Sequence, residues 1–103
     1  MKDLKKFKAR VFKALADPMR LEILEYLRDG EKCVCEIVSY VKAPQPIVSR
    51  HLSILKGCGL IRCRKQENRR FYSISDPVVL RVIDAITPDL VAKLSRMIIE
   101  EIV

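Results

Sequence analysis

Apolar residues recur along the chain at steps of three and four, broken by Asp-Pro, Asp-Gly and Gly-x-Gly punctuation. That pattern predicts a mainly α protein with a small β-hairpin. Residues 3–16 place Leu4, Phe7, Val11 and Leu15 on one helical face, with Asp3 as the expected cap. Asp17-Pro18 opens a second helix, running to about Arg28 and burying Leu21, Leu24 and Leu27 with Ile23 beside them. Asp29-Gly30 ends it, because glycine takes the left-handed position after a helix without steric cost. Residues 33–41, CVCEIVSYV, predict a short third helix with Val34, Ile37, Val38 and Val41 as its apolar members. Lys42-Ala43-Pro44 is a tight connection into a fourth. In that fourth helix, PQPIVSRHLSIL (44–55), Val48, Leu52 and Leu55 form the core stripe, and Gln45, Ser49 and Arg50 fall on the other side. Gly57 and Gly59 stop it.

Beyond the glycines the period changes to two. Leu60–Lys65 and Arg70–Ile74 predict strands joined through Gln66-Glu67-Asn68-Arg69, with Asn68 expected at positive φ. Ile61 and Cys63 alternate with Arg62 and Arg64, while Tyr72 and Ile74 face inward. Asp76-Pro77 signals another helix, and Thr87-Pro88 either opens a further one or kinks it. Val79, Val82, Ile83 and Ile86, then Leu90, Leu94, Ile98 and Ile102 flanked by Val91 and Met97, give these segments more apolar surface than a small domain covers for itself. A homodimer through residues 3–16 and 76–103 is the expectation. The whole reads as one domain over 1–103: a winged helix-turn-helix in the order α1-α2-α3-α4-β-β-α5, with an extra or kinked C-terminal helix. The helix-turn-helix spans 33–55 and the wing 60–74.

Composition narrows the function. A chain of 103 residues holds one domain, and half of its residues are hydrophobic. No apolar run approaches the roughly 18 residues of a membrane span. The basic start, MKDLKKFKARVF, lacks the apolar block of a secretion signal, so a cytoplasmic protein is expected. Its four cysteines are then expected to be free thiols or metal ligands rather than a disulfide framework. The net charge of +7 is confined to residues 42–75, where eight basic side chains face Glu67 alone. Such a patch is the footprint of a polyanion, here double-stranded DNA. Gln pairs with adenine, Arg with guanine, and Ser serves either a base or a phosphate. Enzyme chemistry is disfavoured: there is no glycine-rich phosphate loop, no paired catalytic carboxylates and no nucleophile with an evident base.

The ordered segments ALADPMRLEILEYL (14–27), CVCEI (33–37), QPIVSRHLSIL (45–55), GLIRCRK (59–65) and RRFYSIS (69–75) resemble the ArsR–SmtB family of metal-sensing winged-helix repressors. The resemblance implies a dimer that sits on an operator and leaves it when an effector binds. It carries recognition contacts onto Gln45, Pro46, Ser49, Arg50 and His51, and backbone contacts onto Arg62, Arg64, Lys65, Arg69 and Arg70. For His51, the single histidine, a phosphate contact and a hydrogen bond that orients the helix are both open. The family's CVC box supplies thiolates to arsenite, antimonite or soft divalent ions such as cadmium and lead, and it maps onto Cys33 and Cys35. Soft thiolates select soft metals, and a helix start lowers a thiol's pKa. Residues two apart on a regular helix do not face each other, so both thiols reach one ion only if Cys33 lies in the cap or the turn unwinds. The chain departs from the family twice. Val38 stands where arsenite sensors add a third thiol, and residues 76–103 lack the histidines of zinc sensors. Cys58 or Cys63 would have to complete a three-thiol site. The effector is not expected to be needed for folding. The rival readings are a regulator of this type with no metal response, redox-sensing or constitutive, and a winged-helix protein-interaction module.

Overall fold

In the computed structural model, which describes residues 3–102, six helices and three strands follow one another in the expected order. Met1, Lys2 and Val103 of the expected domain lie outside the described residues. The elements are α1 (Leu4–Leu15), α2 (Pro18–Tyr26) with a 3-10 turn over Leu27–Asp29, β1 (Lys32–Cys33), α3 (Val34–Val41), α4 (Gln45–Gly57), β2 (Ile61–Gln66), β3 (Arg69–Ile74), α5 (Val78–Asp84) and α6 (Pro88–Ile102).

Helix ends fall where side-chain chemistry puts them. The Asp17 carboxylate accepts hydrogen bonds from the amides of Met19 (2.9 Å) and Arg20 (3.1 Å), with Pro18 at the first helical position. Asp3 occupies the corresponding place before α1 but makes no side-chain cap bond. At the end of α4, the Leu60 amide donates to the Leu55 carbonyl (3.0 Å) and the Gly59 amide to Lys56 (2.9 Å). Gly59 takes φ +75°, so this is a Schellman stop whose apolar contact, Leu55 with Leu60, belongs to the core. The Asp76 and Thr87 side chains accept from the amides of Val78 (2.9 Å) and Leu90 (3.1 Å). The C-terminal segment is therefore two capped helices, not one kinked helix.

Three local expectations are corrected. The sheet has three strands in the order β1-β3-β2, because Lys32 and Cys33 pair antiparallel with Tyr72 and Phe71. The hairpin turn is the pair Glu67-Asn68, and the positive φ falls on Glu67 (57°). In α2 the buried arc runs through Ile23, Leu24 and Leu27; Leu21 lies at its edge and is exposed. The core joins these residues to Ile37 and Val41 of α3, Val48, Leu52 and Leu55 of α4, and Ile61 and Tyr72 of the hairpin. Each fully buried aliphatic side chain contributes about 1.5–3 kcal/mol, so the arrangement fixes α4 firmly from behind.

The two terminal regions differ. Only the C-terminal half of α1 packs, through Ala14 and Leu15, and α6 buries no residue at all. Arg28 anchors α5 by gripping the carboxylates of Glu25 (2.7 and 2.8 Å) and Asp84 (2.8 and 2.9 Å), which holds both below the usual carboxylate range. From there α6 projects with Leu94, Ile98 and Ile102 open to solvent, the last 79% exposed. The radius of gyration is 16.0 Å, against about 13 Å for a compact chain of this length.

Candidate nucleic-acid interface

At 100° per residue, Gln45, Ser49, Ser53 and Lys56 lie within an arc of about 80° on α4, and Pro46 and Arg50 extend it. All six are exposed. Behind them Val48, Leu52 and Leu55 are fully buried, so the polar face is held outward by the core. Across from it stands the wing, and the cleft between them, about 330 Å³, is lined by Gln45, Ser49, Ser53 and Lys56 of α4, Arg70 and Tyr72 of the wing, and Val34 of α3. Ser53 and Lys56 were not among the residues expected from sequence. They follow Ser49 at i+4 and i+7, a spacing that could have identified them.

The wing divides its charge between two faces. Lys65 pairs with Arg70 and Cys63 with Tyr72, so both of those cations lie on the face shared with Tyr72. Arg62, Arg64 and Arg69 occupy the other, with Phe71. Burial pushes the Tyr72 phenol up, the Cys63 thiol beside it adds to that rise, and the Arg70 guanidinium opposes it. Arg62, Lys65, Arg69 and Arg70 form no ion pair among the described residues. Arg64 is engaged: Nε and Nη2 each donate to Glu31 at 2.7 Å, Nη1 donates to Gln66 Oε1 at 2.6 Å, and the guanidinium lies 4.6 Å over the Phe71 ring. This fork holds the Glu31 carboxyl below its ordinary range.

His51 is placed away from the reading face, about 160° from Ser49 around α4. Its side chain is 15% exposed, and its Nδ1 lies 3.0 Å from Nη1 of Arg20. Of its two open roles, the geometry matches a hydrogen bond that orients the helix.

Cys33 is buried as the last residue of β1 and the cap position of α3, with extended backbone (φ −77°, ψ 155°). The placement in the cap that a shared site requires is therefore present. Its amide donates to Glu36 Oε1 at 3.0 Å. Free thiols or metal ligands were expected, but Cys33 and Cys35 are bonded to each other: extended backbone at one and helical backbone at the other bring their Cα atoms to 5.4 Å. Cys63 faces Tyr72 on β3, one register position from the Phe71 that pairs with Cys33, hence on the opposite side of the sheet. Cys58 sits at the end of α4 with its thiol 3.9 Å from the Arg10 carbonyl. Among the described residues no three potential ligands converge.

The sequence profile described as bacterial regulatory protein, arsR family, matches residues 17–62. An uncharacterised HTH-type transcriptional regulator of Methanocaldococcus jannaschii is 46% identical over 76 residues, 73% of this chain and 85% of that protein. A probable mercury resistance operon repressor of Streptomyces lividans is 44% identical over 69% of this chain, which spans 57% of that relative's length. Among solved structures, the homodimeric winged helix-turn-helix DNA-binding domain of a Mycobacterium bovis protein superposes with a TM-score of 0.73 at 33% identity, covering 95% of this chain and 86% of the other.

Proposed function

The chain belongs to the ArsR family of bacterial regulatory proteins, DNA-binding winged-helix regulators rather than enzymes, and from that premise we propose that it is a homodimeric cytoplasmic repressor of operator DNA. The observation that carries this reading is the cleft where the exposed Gln45, Ser49 and Lys56 of α4 meet the exposed Arg70 of the wing. A helix with a polar outer face beside a basic hairpin offers base-edge readers and phosphate ligands together. The uncovered faces of α1 and α6 supply the dimer contact, and the Mycobacterium bovis neighbour is itself homodimeric. A twofold axis would set two α4 helices about 34 Å apart, one helical turn of DNA. Among the described residues no helix is long and apolar enough to cross a membrane.

The effector of this proposal is a thiophilic ion: arsenite, antimonite, or a soft divalent ion such as cadmium, lead or zinc. The donor set fits in part. Cys33 and Cys35 offer two soft sulfurs at a helix start once reduced, and among the described residues no third ligand joins them. The name of the Streptomyces lividans relative adds mercuric ion to the ions to be tried. The bond between Cys33 and Cys35 favours one second reading, a thiol-redox regulator.

The test begins with selection of binding duplexes from a random pool, followed by anisotropy titration of reduced wild type and the Cys33→Ser, Cys35→Ser double variant with and without each ion. Specific binding by both proteins, released by an ion only in the wild type, is the expected result. Release of the double variant moves the site elsewhere. A wild type that ignores every ion but lets go on oxidation favours the redox reading, and no sequence preference at all ends the repressor reading.

A further inference from the structure

Arg20 stands at the junction of three helices and is only 13% exposed. Its Nε donates to the Ala14 carbonyl at 2.6 Å and its Nη2 to Lys13 at 3.4 Å, so it satisfies the open C-terminal end of α1. Its Nη1 reaches His51 Nδ1 at 3.0 Å, in the middle of α4. A guanidinium has only donors, so in this bond Nδ1 is the acceptor. Asp17, committed to the amides of Met19 and Arg20, closes the group at 4.0 Å from both side chains. One side chain thus ties α1, α2 and α4 together, and its contact with His51 alone bridges 31 positions of sequence.

We propose that Arg20 and His51 are positioning residues that fix the angle of α4 relative to α1, and so set how the two reading helices of the dimer meet their half-sites. This rests on the repressor reading above. The lever is long: α4 spans about 20 Å, and a tilt of roughly 10° about one end carries the other about 3.5 Å, close to the rise of one base pair. Base-edge hydrogen bonds do not survive such a shift, whereas contacts to the regularly repeating phosphates do. The signature of a lost Arg20–His51 bond is therefore weakened discrimination at an unchanged count of phosphate contacts. A phosphate ligand would behave in the opposite way.

The experiment compares wild type, His51→Asn, His51→Leu, Arg20→Met and the His51→Leu, Arg20→Met double variant. Affinity for a selected duplex and for random DNA is measured across a salt series, with thermal unfolding and amide exchange measured on the free proteins. Asn keeps an acceptor oxygen near the place of Nδ1, so His51→Asn stays within threefold of wild type. His51→Leu and Arg20→Met each lose at least tenfold on the selected duplex, less than threefold on random DNA, and keep the wild-type salt slope. Their amides over residues 48–55 exchange faster, and the double variant is no weaker than either single. The proposal is overturned if His51→Leu flattens the salt slope with wild-type exchange, if both His51 variants bind as wild type, or if the two losses add. Should Arg20→Met fail to fold, the Asn and Leu pair decides alone. Should the wild type prefer no sequence, the repressor reading has failed, and exchange on free protein still decides whether the bond holds α4.

Discussion

The wing offers the sharpest quantitative prediction, because its arginines look alike in sequence and differ in structure. Arg69 and Arg70 are exposed and free of ion pairs among the described residues, whereas every donor-bearing nitrogen of Arg64 already contacts Glu31 or Gln66. Each phosphate contact contributes about 0.9 to the slope of log affinity against log salt. In a dimer, Arg69→Ala removes two such contacts and should flatten the slope by about 1.8. The deficit of that variant should then shrink roughly tenfold between about 50 and 200 mM salt, and equally on specific and random duplexes. Arg64→Ala, removing no phosphate contact, should leave the slope where it is. Anisotropy titration of both variants at four salt concentrations measures the difference. If Arg64→Ala flattens the slope as much as Arg69→Ala, its bonds to Glu31 open on DNA, and the division of roles drawn from the structure is wrong.

Three further outcomes are expected. Arg50→Ala should lose about 1–3 kcal/mol on a selected duplex and much less on random DNA, read from the ratio of the two affinities; equal loss on both would assign Arg50 to phosphate. Leu94→Glu with Ile98→Glu, both on the uncovered face of α6, should yield a monomer by sedimentation with far weaker specific binding, and a wild type already monomeric at micromolar concentration would refute the dimer. Asp17→Ala should cost about 1 kcal/mol near neutrality, lowering the melting temperature by some 4 °C. Backbone hydrogen bonding to Arg20 is the main cause that lowers the Asp17 pKa from its ordinary 3.8. This stabilisation is present above that value and lost as pH falls through the lower folded pKa, so the two melting curves should converge in acid and stay apart at pH 7.

Much of the fold was legible because punctuation and periodicity agreed. Asp17-Pro18, Asp76-Pro77 and Thr87-Pro88 each start a helix, and Gly59 ends α4 with the stop its sequence signals. What sequence left hidden depends on partners distant along the chain. β1 is two residues long and has no period to read; it exists because Phe71 and Tyr72 pair with it. Arg64 resembles its basic neighbours until Glu31, 33 positions earlier, takes its guanidinium. His51 carries the recognition motif's residue type, yet its angle around α4 turns it toward Arg20. Motif membership identified residues that serve α4, and only geometry separated those that face outward from those that hold it in place.

The same geometry explains how a site at Cys33 and Cys35 could reach the DNA-reading elements under the proposed function. Cys33 ends β1, caps α3 and pairs with Phe71, the central-strand residue that also faces Arg64 from the other side. Glu31, two positions before Cys33, grips Arg64, whose guanidinium covers the Phe71 ring. The cysteine box is thereby joined to the wing through β3 and to α4 through α3, whose Ile37 and Val41 share the core with Val48 and Leu52. Allosteric coupling in proteins commonly amounts to 1–3 kcal/mol. A helix cap contributes about 1 kcal/mol and a backbone hydrogen bond about 0.5–1.5 kcal/mol net. Remaking the Cys33–Glu36 cap and one β1–β3 bond is therefore enough to supply a coupling of that size. Under the proposed function, release from DNA would need no large rearrangement, only that an occupant of the reduced Cys33 and Cys35 favour a different backbone at the one residue shared by sheet and helix.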